Sequence, residues 1–405
     1  RFCQVTGVQT CALPILRILF FNYEYPPLGG GAGNATFFLL KEFAKIPELK
    51  VDLVTSSFDQ REYTREISEG VKVYQIPIGK TGKEFELHHQ TKQDLIYYAW
   101  AAFWFSRKLL KENKYDLTHS FFTVPCGALS RYFKSWFSHR LPYVVSLRGA
   151  DVPGYSERFD RIYEVLLPVI KNIWKNSAQV VSNSSGLKEL AARNFPAEKI
   201  AIIPNGVDTE EFNPTKFGKK DNLTLKIICV SRLTRRKSIN TLIEAMAILK
   251  REGRKVKLEI AGEGEDRARL EKLTQQNDLT ETVSFVGLIE HEKIAEFYAG
   301  GNVFALTSLN EGMSNTILEA IAMGLPIITT NTGGTAELVE NETNGFVVEK
   351  EKPTQVAECI KKLQDNQELL HSMGKQSRTR AEAMSWQNVV CQRSEERRVG
   401  KECRS

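Results

Sequence analysis

The sequence predicts an α/β protein of two doubly wound domains facing each other across a cleft. Three observations predict it. Short apolar runs alternate with stretches of helical spacing in two successive blocks, the pattern of parallel sheets covered by helices on both faces. A stretch rich in Pro, Gly and Lys, residues 213–221, reads as a linker between the blocks. A chain of 405 residues also suits two domains of ordinary size.

The first block opens with the apolar run 16–21, followed by a glycine-rich turn and a helix expected over 35–44. Strands are expected at 51–54, 71–74, 117–121, 143–147 and 178–181, with helices around 94–111, 162–175 and 187–194. Pro204-Asn205-Gly206-Val207-Asp208 closes this block with turn chemistry. Strands of the second block are expected at 226–230, 258–261, 283–286, 303–307 and 326–330. The domains are thus expected over 16–208 and 209–385, with a last helix beginning at 386–392. In such sheets ligands bind outside the carboxyl ends of the strands, which is expected to bring the glycine turn, Arg232 and Glu311 to one mouth.

The two ends are set aside. Residues 5–15 and 393–405 lack hydrophobic periodicity and look like translated sequencing-library adapters, so 1–15 and 393–405 are expected to be artefacts of a metagenomic reading frame. Without them the formal net charge of +6 falls to about +3, because 393–405 carry five basic and three acidic residues and Arg1 adds one more. That mild basicity, with no aromatics interleaved along a wide basic stripe, argues against a nucleic-acid partner. Of the seven Cys, Cys126, Cys229, Cys359 and Cys391 remain, scattered without metal-ligand spacing or a paired framework. A reducing, cytoplasmic compartment is the natural reading. His88-His89 has no partner cluster and reads as an exposed pair, and no metal site is expected. No apolar run reaches the roughly 18 residues that a membrane span needs.

Glu311 and Glu319 bracket the most informative segment. Residues 315–323 read as a helix, and from Ile317 onward every residue but Glu319 is apolar, so the helix is buried. A lone carboxylate there costs several kcal/mol unless it finds donors, on the order of the penalty for an unpaired buried polar group. Just before the helix, Gly312-Met313-Ser314 is expected to expose unpaired backbone N–H groups, a ready anion site. A phosphate on those amides, with a carboxylate on each side for hydroxyl groups, fits a nucleotide sugar. The competing reading is a capped core helix whose Glu319 pairs with a Lys or Arg.

Four further sites carry chemistry. Gly30 and Gly31, in the turn after the first strand, let backbone approach a ligand closely. A dinucleotide fingerprint is disfavoured because Asn34 holds its third glycine position and Thr55-Ser56 ends the second strand; no Gly-Lys-Ser/Thr of a Walker loop follows either. Arg232 and Lys237, just after the first strand of the second block, suit a diphosphate, whereas Arg235 and Arg236 read as solvated. Arg148 and Asp151 end a strand of the first block, either lining the cleft or pairing with each other. Gly262 and Gly287 end strands in turns suited to a flat base, or are simple turns.

Together these residues resemble a family. From Leu16 to about Trp386 the chain looks like a retaining glycosyltransferase of family 4, with the GT-B fold of two Rossmann-like domains. The resemblance rests on the glycine-rich first turn, the 204–208 junction, Arg232 with Lys237, Gly262, the Glu311/Glu319 pair, and Asn331-Thr332-Gly333-Gly334-Thr335-Ala336-Glu337. It implies a donor bound mainly by the second domain. Arg232 and Lys237 would hold the diphosphate, helped by backbone at Gly312, Met313, Ser314 and Asn315. Glu319 would take the ribose hydroxyls and Glu311 would sit by the donor sugar. The first domain would supply the acceptor pocket, with Gly30, Gly31, Arg148 and Asp151 as cleft residues. Transfer would keep the anomeric configuration, with the leaving phosphate accepting the acceptor's proton, and would need neither cofactor nor metal.

Three departures from the family pattern stand out. Ser231 and Ser238 occupy positions that are often Gly, and Arg148-Gly149-Ala150-Asp151 stands where many members place a His. The helix from Ser385-Trp386 loses its end to the adapter-like tail. The expected partners are a UDP- or GDP-sugar donor, a glycan or lipid-linked acceptor of polysaccharide or lipopolysaccharide biosynthesis, and a membrane surface, with the protein a monomer or weak dimer. The aromatic helix Leu95 to Phe105, followed by Arg107, Lys108 and Lys111, reads either as core or as a seat on the inner face of the plasma membrane. A nucleotide-sugar epimerase, a sugar-phosphate or sucrose-type synthase and a non-catalytic nucleotide-sugar-binding protein remain alternatives.

Overall fold

The computed structural model describes residues 15–78, 91–136, 141–155, 160–218 and 224–390. His88-His89, Cys391, nearly all of both end segments and part of the 213–221 linker lie outside the described residues. The chain divides into two compact units: residues up to 145 with 176–178, and residues 146–175 with those from 179 onward.

The first unit begins β1 (Leu16–Phe21), α1 (Gly31–Phe43), β2 (Leu49–Ser56), β3 (Tyr63–Ser68) and β4 (Val71–Ile76). It continues with α2 (Lys92–Glu112), β5 (Leu117–Phe121), α3 (Ala128–Trp136) and β6 (Tyr143–Ser146). β1 pairs in parallel with β2 and β5, and β2 with β4, while β3 adds an antiparallel edge. β3 escaped sequence reading because its residues are largely exposed, as suits an edge strand, and show no apolar run. The glycine turn also differs from expectation. Gly30 is the N-cap of α1, and Gly31 and Gly33 lie inside its first turn, so the helix starts four residues early.

α2 starts where a capping box forms: Asp94 N–H donates to Thr91 Oγ1 at 3.2 Å, and Thr91 N–H to Asp94 Oδ2 at 2.7 Å. Its buried face is Asp94, Tyr98, Ala102, Ser106 and Leu109, at helical spacing, with the Tyr98 hydroxyl donating to Val54 O at 2.9 Å. The aromatic segment therefore splits. Tyr98 belongs to the core, but Ile96, Tyr97, Trp100 and Trp104 point outward, Ile96 being 68 % and Trp104 48 % exposed. On α3, Tyr132 and Trp136 are exposed too. Ring contacts run from Trp100 through Trp104 and Phe103 to Tyr132 and Trp136, with centroids 5.1 to 5.7 Å apart.

The second unit holds α4 (Asp160–Asn176) up to residue 175, β7 (Gln179–Ser182), α5 (Ser185–Ala192) and β8 (Ile200–Ile202). There follow β9 (Leu225–Val230), α6 (Ile239–Arg251), β10 (Val256–Ala261), α7 (Arg267–Gln276) and β11 (Val283–Gly287). Then come α8 (His291–Ala299), β12 (Val303–Leu306), α9 (Asn315–Ala322), β13 (Ile327–Thr330) and α10 (Thr335–Leu338). β14 (Gly345–Val348), α11 (Pro353–Asp365) and α12 (Gln367–Ala383) complete it. The strands β9 to β14 form a parallel sheet in the order β11-β10-β9-β12-β13-β14, and the other eight strands form a sheet in the order β3-β4-β2-β1-β5-β6-β7-β8. Chain order reverses at β9, so the loops after β9 and β12 splay apart at a switch point of the kind that opens a binding crevice. A core including Ile227, Ile228, Leu258, Phe304, Ile321 and Ile328 fills the space between this sheet and its helices.

Close backbone packing closes this end of the sheet. Gly262, after β10, has φ +130°, its N–H donates to Gly287 O at 2.7 Å, and a Cβ there would lie 1.9 Å from Ser231 O. Both the torsion and the approach require glycine. Gly262→Ala is expected to lose about 2 kcal/mol or more in urea unfolding. A change below about 0.5 kcal/mol would show that this contact is looser than it stands here.

Candidate active site

The loop before α9 is built from α9's own capping needs. Ser314 is the N-cap, its Oγ accepting from Ile317 N–H at 3.4 Å, and Ile317, Leu318, Ala320, Ile321 and Ala322 are buried behind it. This fixes the backbone of Gly312, Met313, Ser314 and Asn315 at the helix start. Asn205 braces it: its backbone N–H reaches Met313 Sδ at 3.1 Å, and its Nδ2 donates to Asn315 Oδ1 at 3.0 Å.

Two predicted catalytic residues meet directly. The Lys237 ammonium pairs with the Glu311 carboxylate, their side chains only 12 % and 11 % exposed, and Ser308 Oγ donates to the same carboxylate oxygen at 2.8 Å. Burial alone would raise the Glu311 pKa. The charges of Lys237 and Arg236, with hydrogen bonds from Lys237 and Ser308, hold it below the usual carboxylate value. Arg232 is exposed, and its guanidinium has no hydrogen-bond or ion-pair partner among the described residues, while its carbonyl accepts from Thr234 N–H at 3.1 Å.

Arg236 corrects the sequence reading of a solvated side chain. It is half-buried, and its Nη1 donates to Asn310 O at 3.3 Å and to the Tyr155 hydroxyl at 3.5 Å. Arg235 is exposed, as read. Nothing in the local sequence separates the two; only the direction in which the short 3₁₀ turn at 235–237 points them does. Ser238 adopts φ +47° and its carbonyl accepts from Thr307 Oγ1 at 2.9 Å.

Glu319 lies in α9, and its partner is neither a Lys nor an Arg. The Tyr298 hydroxyl, from α8, donates to Glu319 Oε2 at 2.8 Å. Burial pushes the Glu319 carboxyl up to about 7, with Glu211's charge adding to the rise and the Tyr298 hydrogen bond opposing it. Tyr298 was invisible to sequence reading, being an aromatic on an ordinary amphipathic helix.

Arg148 and Asp151 do not simply face each other. Asp151 Oδ1 accepts from Arg148's backbone N–H at 2.8 Å, while the Arg148 guanidinium donates to Asn205 Oδ1 at 2.6 Å. The loop continues to Tyr155, whose hydroxyl accepts from Gly312 N–H at 2.9 Å and whose carbonyl accepts from Asn310 Nδ2 at 2.9 Å. Tyr155 and Asn183, after β7, both adjoin Gly312 and were not singled out from sequence. Gly30 and Gly31 lie in the first unit, at the start of α1.

This arrangement joins cations, a buried carboxylate and a helix N-terminus at the ends of parallel strands, a construction suited to phosphate esters of hydroxyl-rich ligands. The chain is a glycosyltransferase with the GT-B fold. Residues 29–211 match the family described as Glycosyltransferase Family 4, and 208–380 match Glycosyl transferases group 1. An uncharacterized glycosyltransferase of Methanocaldococcus jannaschii is 29 % identical over 365 residues, covering 84 % of this chain and 87 % of its own. A phosphatidylinositol N-acetylglucosaminyltransferase subunit of Arabidopsis thaliana is 24 % identical, over 93 % of this chain and 80 % of its own. Sucrose-phosphate synthase from Thermosynechococcus elongatus superposes with a TM-score of 0.79 at 23 % identity, over 95 % of this chain and 98 % of that one. The Anabaena protein HepE in complex with UDP-glucose gives 0.70 at 19 % identity, over 94 % and 99 %. No helix among the described residues is long and apolar enough to cross a membrane.

Because Glu319 titrates higher folded than unfolded, the folded state holds the extra proton between pH 4.5 and about 7, and stability falls as pH rises through that window. Glu319→Gln is expected to flatten that decline and to gain on the order of 1–3 kcal/mol over the wild type at pH 8. Parallel unfolding curves for the two proteins from pH 5 to 8 would show that Glu319 stays ionised throughout.

Proposed function

We propose that the protein transfers a hexosyl unit from a UDP- or GDP-sugar to a glycan or lipid-linked acceptor, with retention of anomeric configuration and without a metal. The observation that carries this reading is the convergence of Lys237, Arg236, Ser308 and Glu311 on the N-terminus of α9. In this reading the α9 amides and Lys237 receive the diphosphate, with the exposed Arg232 as a further cation. Glu319 takes the ribose hydroxyls and Glu311 the donor sugar, over a base at Gly262 and Gly287.

The sugar's bond to the diphosphate breaks while the acceptor hydroxyl attacks from the same face, and its proton passes to the departing phosphate oxygen. Fixed cations that stabilise the charge growing on that phosphate supply the main catalytic effect. The UDP-glucose held by HepE supports a nucleotide-sugar donor. Gly30 and Gly31, in the first unit, are the residues this reading gives to the acceptor.

A thermal-shift screen against UDP, GDP, ADP and their common sugars tests the donor. A shift of a few degrees with one nucleotide is expected. Glu319→Ala should weaken that nucleotide's binding, while Arg232→Ala should lower kcat more than affinity. Variants that bind and turn over like the wild type would remove these two residues from the site.

In this reading the acceptor lies at an anionic membrane surface on the cytoplasmic side, and the protein acts as a monomer or weak dimer. Exposed Trp and Tyr with basic neighbours suit a lipid headgroup layer. α2 and α3 carry Lys92, Arg107, Lys108, Lys111, Arg131 and Lys134 against Asp94, which is buried in its cap, and Glu112. An isologous contact between two copies would set these cations against each other. The phosphatidylinositol in the Arabidopsis relative's name agrees with a lipid acceptor. Sedimentation with phosphatidylglycerol-containing vesicles is expected to capture the wild type, and Trp100→Ser with Trp104→Ser to release it at unchanged thermal stability. Equal sedimentation of both proteins would refute a membrane role for this face.

A further inference from the structure

One polar atom beside Gly312 stands out. Asn183, immediately after β7, is only 5 % exposed, and its Oδ1 is buried without a hydrogen-bond partner. Leaving a buried carboxamide oxygen unpaired costs about 1–3 kcal/mol, so such a group calls for an occupant. Across from it stands the Tyr155 hydroxyl. A Cβ built on Gly312 would lie 3.6 Å from both Asn183 Oδ1 and the Tyr155 hydroxyl oxygen, so the two flank the same small space.

Their hydrogen-bonding needs are complementary. The Tyr155 oxygen already accepts from Gly312 N–H at 2.9 Å and from Arg236 at 3.5 Å. Both of those contacts fill lone pairs and leave the phenol's own proton to donate; no described residue accepts it. Burial, reinforced by the Glu311 charge, raises the Tyr155 pKa, so that proton stays on the oxygen. A donor thus stands unpaired on one side and an acceptor on the other. A hydroxyl, which accepts with one lone pair and donates its own hydrogen, satisfies both at once.

We infer that Tyr155 and Asn183 form a recognition subsite over Gly312 for one hydroxyl of the transferred sugar. The inference rests on the donor-site reading above, since Glu311 and Gly312 must face the sugar for it to hold. Gly312 has no side chain in that space, and any larger residue would fill it. Tyr155 is held from several sides, by Gly312, Arg236 and Asn310, so the subsite is preorganised rather than assembled on binding. A subsite that pairs a buried donor and acceptor with one hydroxyl discriminates strongly against a sugar lacking it.

The test compares Tyr155→Phe, Asn183→Leu and their double variant with the wild type, using whichever nucleotide sugar the screen identifies and its free nucleoside diphosphate. The diphosphate should bind Asn183→Leu within about twofold of the wild type, because that side chain touches only the sugar. Tyr155→Phe and the double variant also lose the contacts to Gly312 N–H and Arg236, so their kcat/KM is compared after correction for each variant's own diphosphate affinity. For the nucleotide sugar, kcat/KM is expected to fall about tenfold in each single variant, and by little more in the double, because both residues grip one hydroxyl. Should Asn183→Leu melt several degrees low, Asn183→Ser replaces it with the same expectation. Normal diphosphate binding with kcat/KM within twofold of the wild type in every variant would overturn the subsite and leave the donor site standing. A wild type that binds none of the nucleotides would overturn the donor site and the subsite with it.

Discussion

The buried pair between Lys237 and Glu311 is the interaction on which the site depends. Lys237 ends the short turn after β9, and Glu311 lies in the loop between β12 and α9, so the pair ties together the two loops that part at the switch point of the sheet. Neither charge is tolerable there alone: an isolated ion in so enclosed a place loses most of its hydration. Each loop is therefore held in the geometry that satisfies the other. Leu309 N–H donates to Arg236 O at 2.8 Å, and Thr307 Oγ1 donates to Ser238 O, adding neutral links alongside the ionic one. Fixed in this way, the charges of Lys237 and Arg236 stand in a set geometry that needs no reorganisation.

A second constraint is close backbone packing around the helix start. A Cβ on Gly334 would lie 1.7 Å from Gly312 O, and one on Gly186 would lie 2.3 Å from Gly333 Cα. Three chain segments stack here with no side chain between them, joined by the Gly186 N–H to Gly333 O bond at 2.9 Å. The Glu337 carboxylate completes the junction by accepting from the Ser185 N–H. The Gly333-Gly334 pair of the 331–337 motif thus has a physical role, which is to let backbone approach the loop that carries Glu311 and Gly312.

Much of the fold was legible because it depends on local order. The alternation of apolar runs located most of the strands, and the apolar run after Asn315 located α9, which begins at the expected residue. What escaped was what lacks a local signal. β3 pairs through its backbone while its side chains face solvent, and the first turn of α1 is written in glycines that read as a loop. The aromatic stretch on α2 was ambiguous because composition does not say which face of a helix meets the sheet; the spacing of Asp94, Tyr98, Ala102, Ser106 and Leu109 does.

Within the site, the sequence by itself determined which groups have chemistry to offer: the Glu311/Glu319 pair, the basic run after β9, and the amides opening α9. Tertiary structure alone decided how they combine. It turned Arg236 inward while leaving Arg232 and Arg235 exposed, matched Glu319 with Tyr298 rather than with a cation, and set Tyr155 against Gly312 across 157 residues of chain. Spacing along the chain encodes contacts within a helix or strand, since their repeat is fixed. Contacts between loops depend on where distant strands end and which way short turns point their side chains, and only the packed sheets settle both.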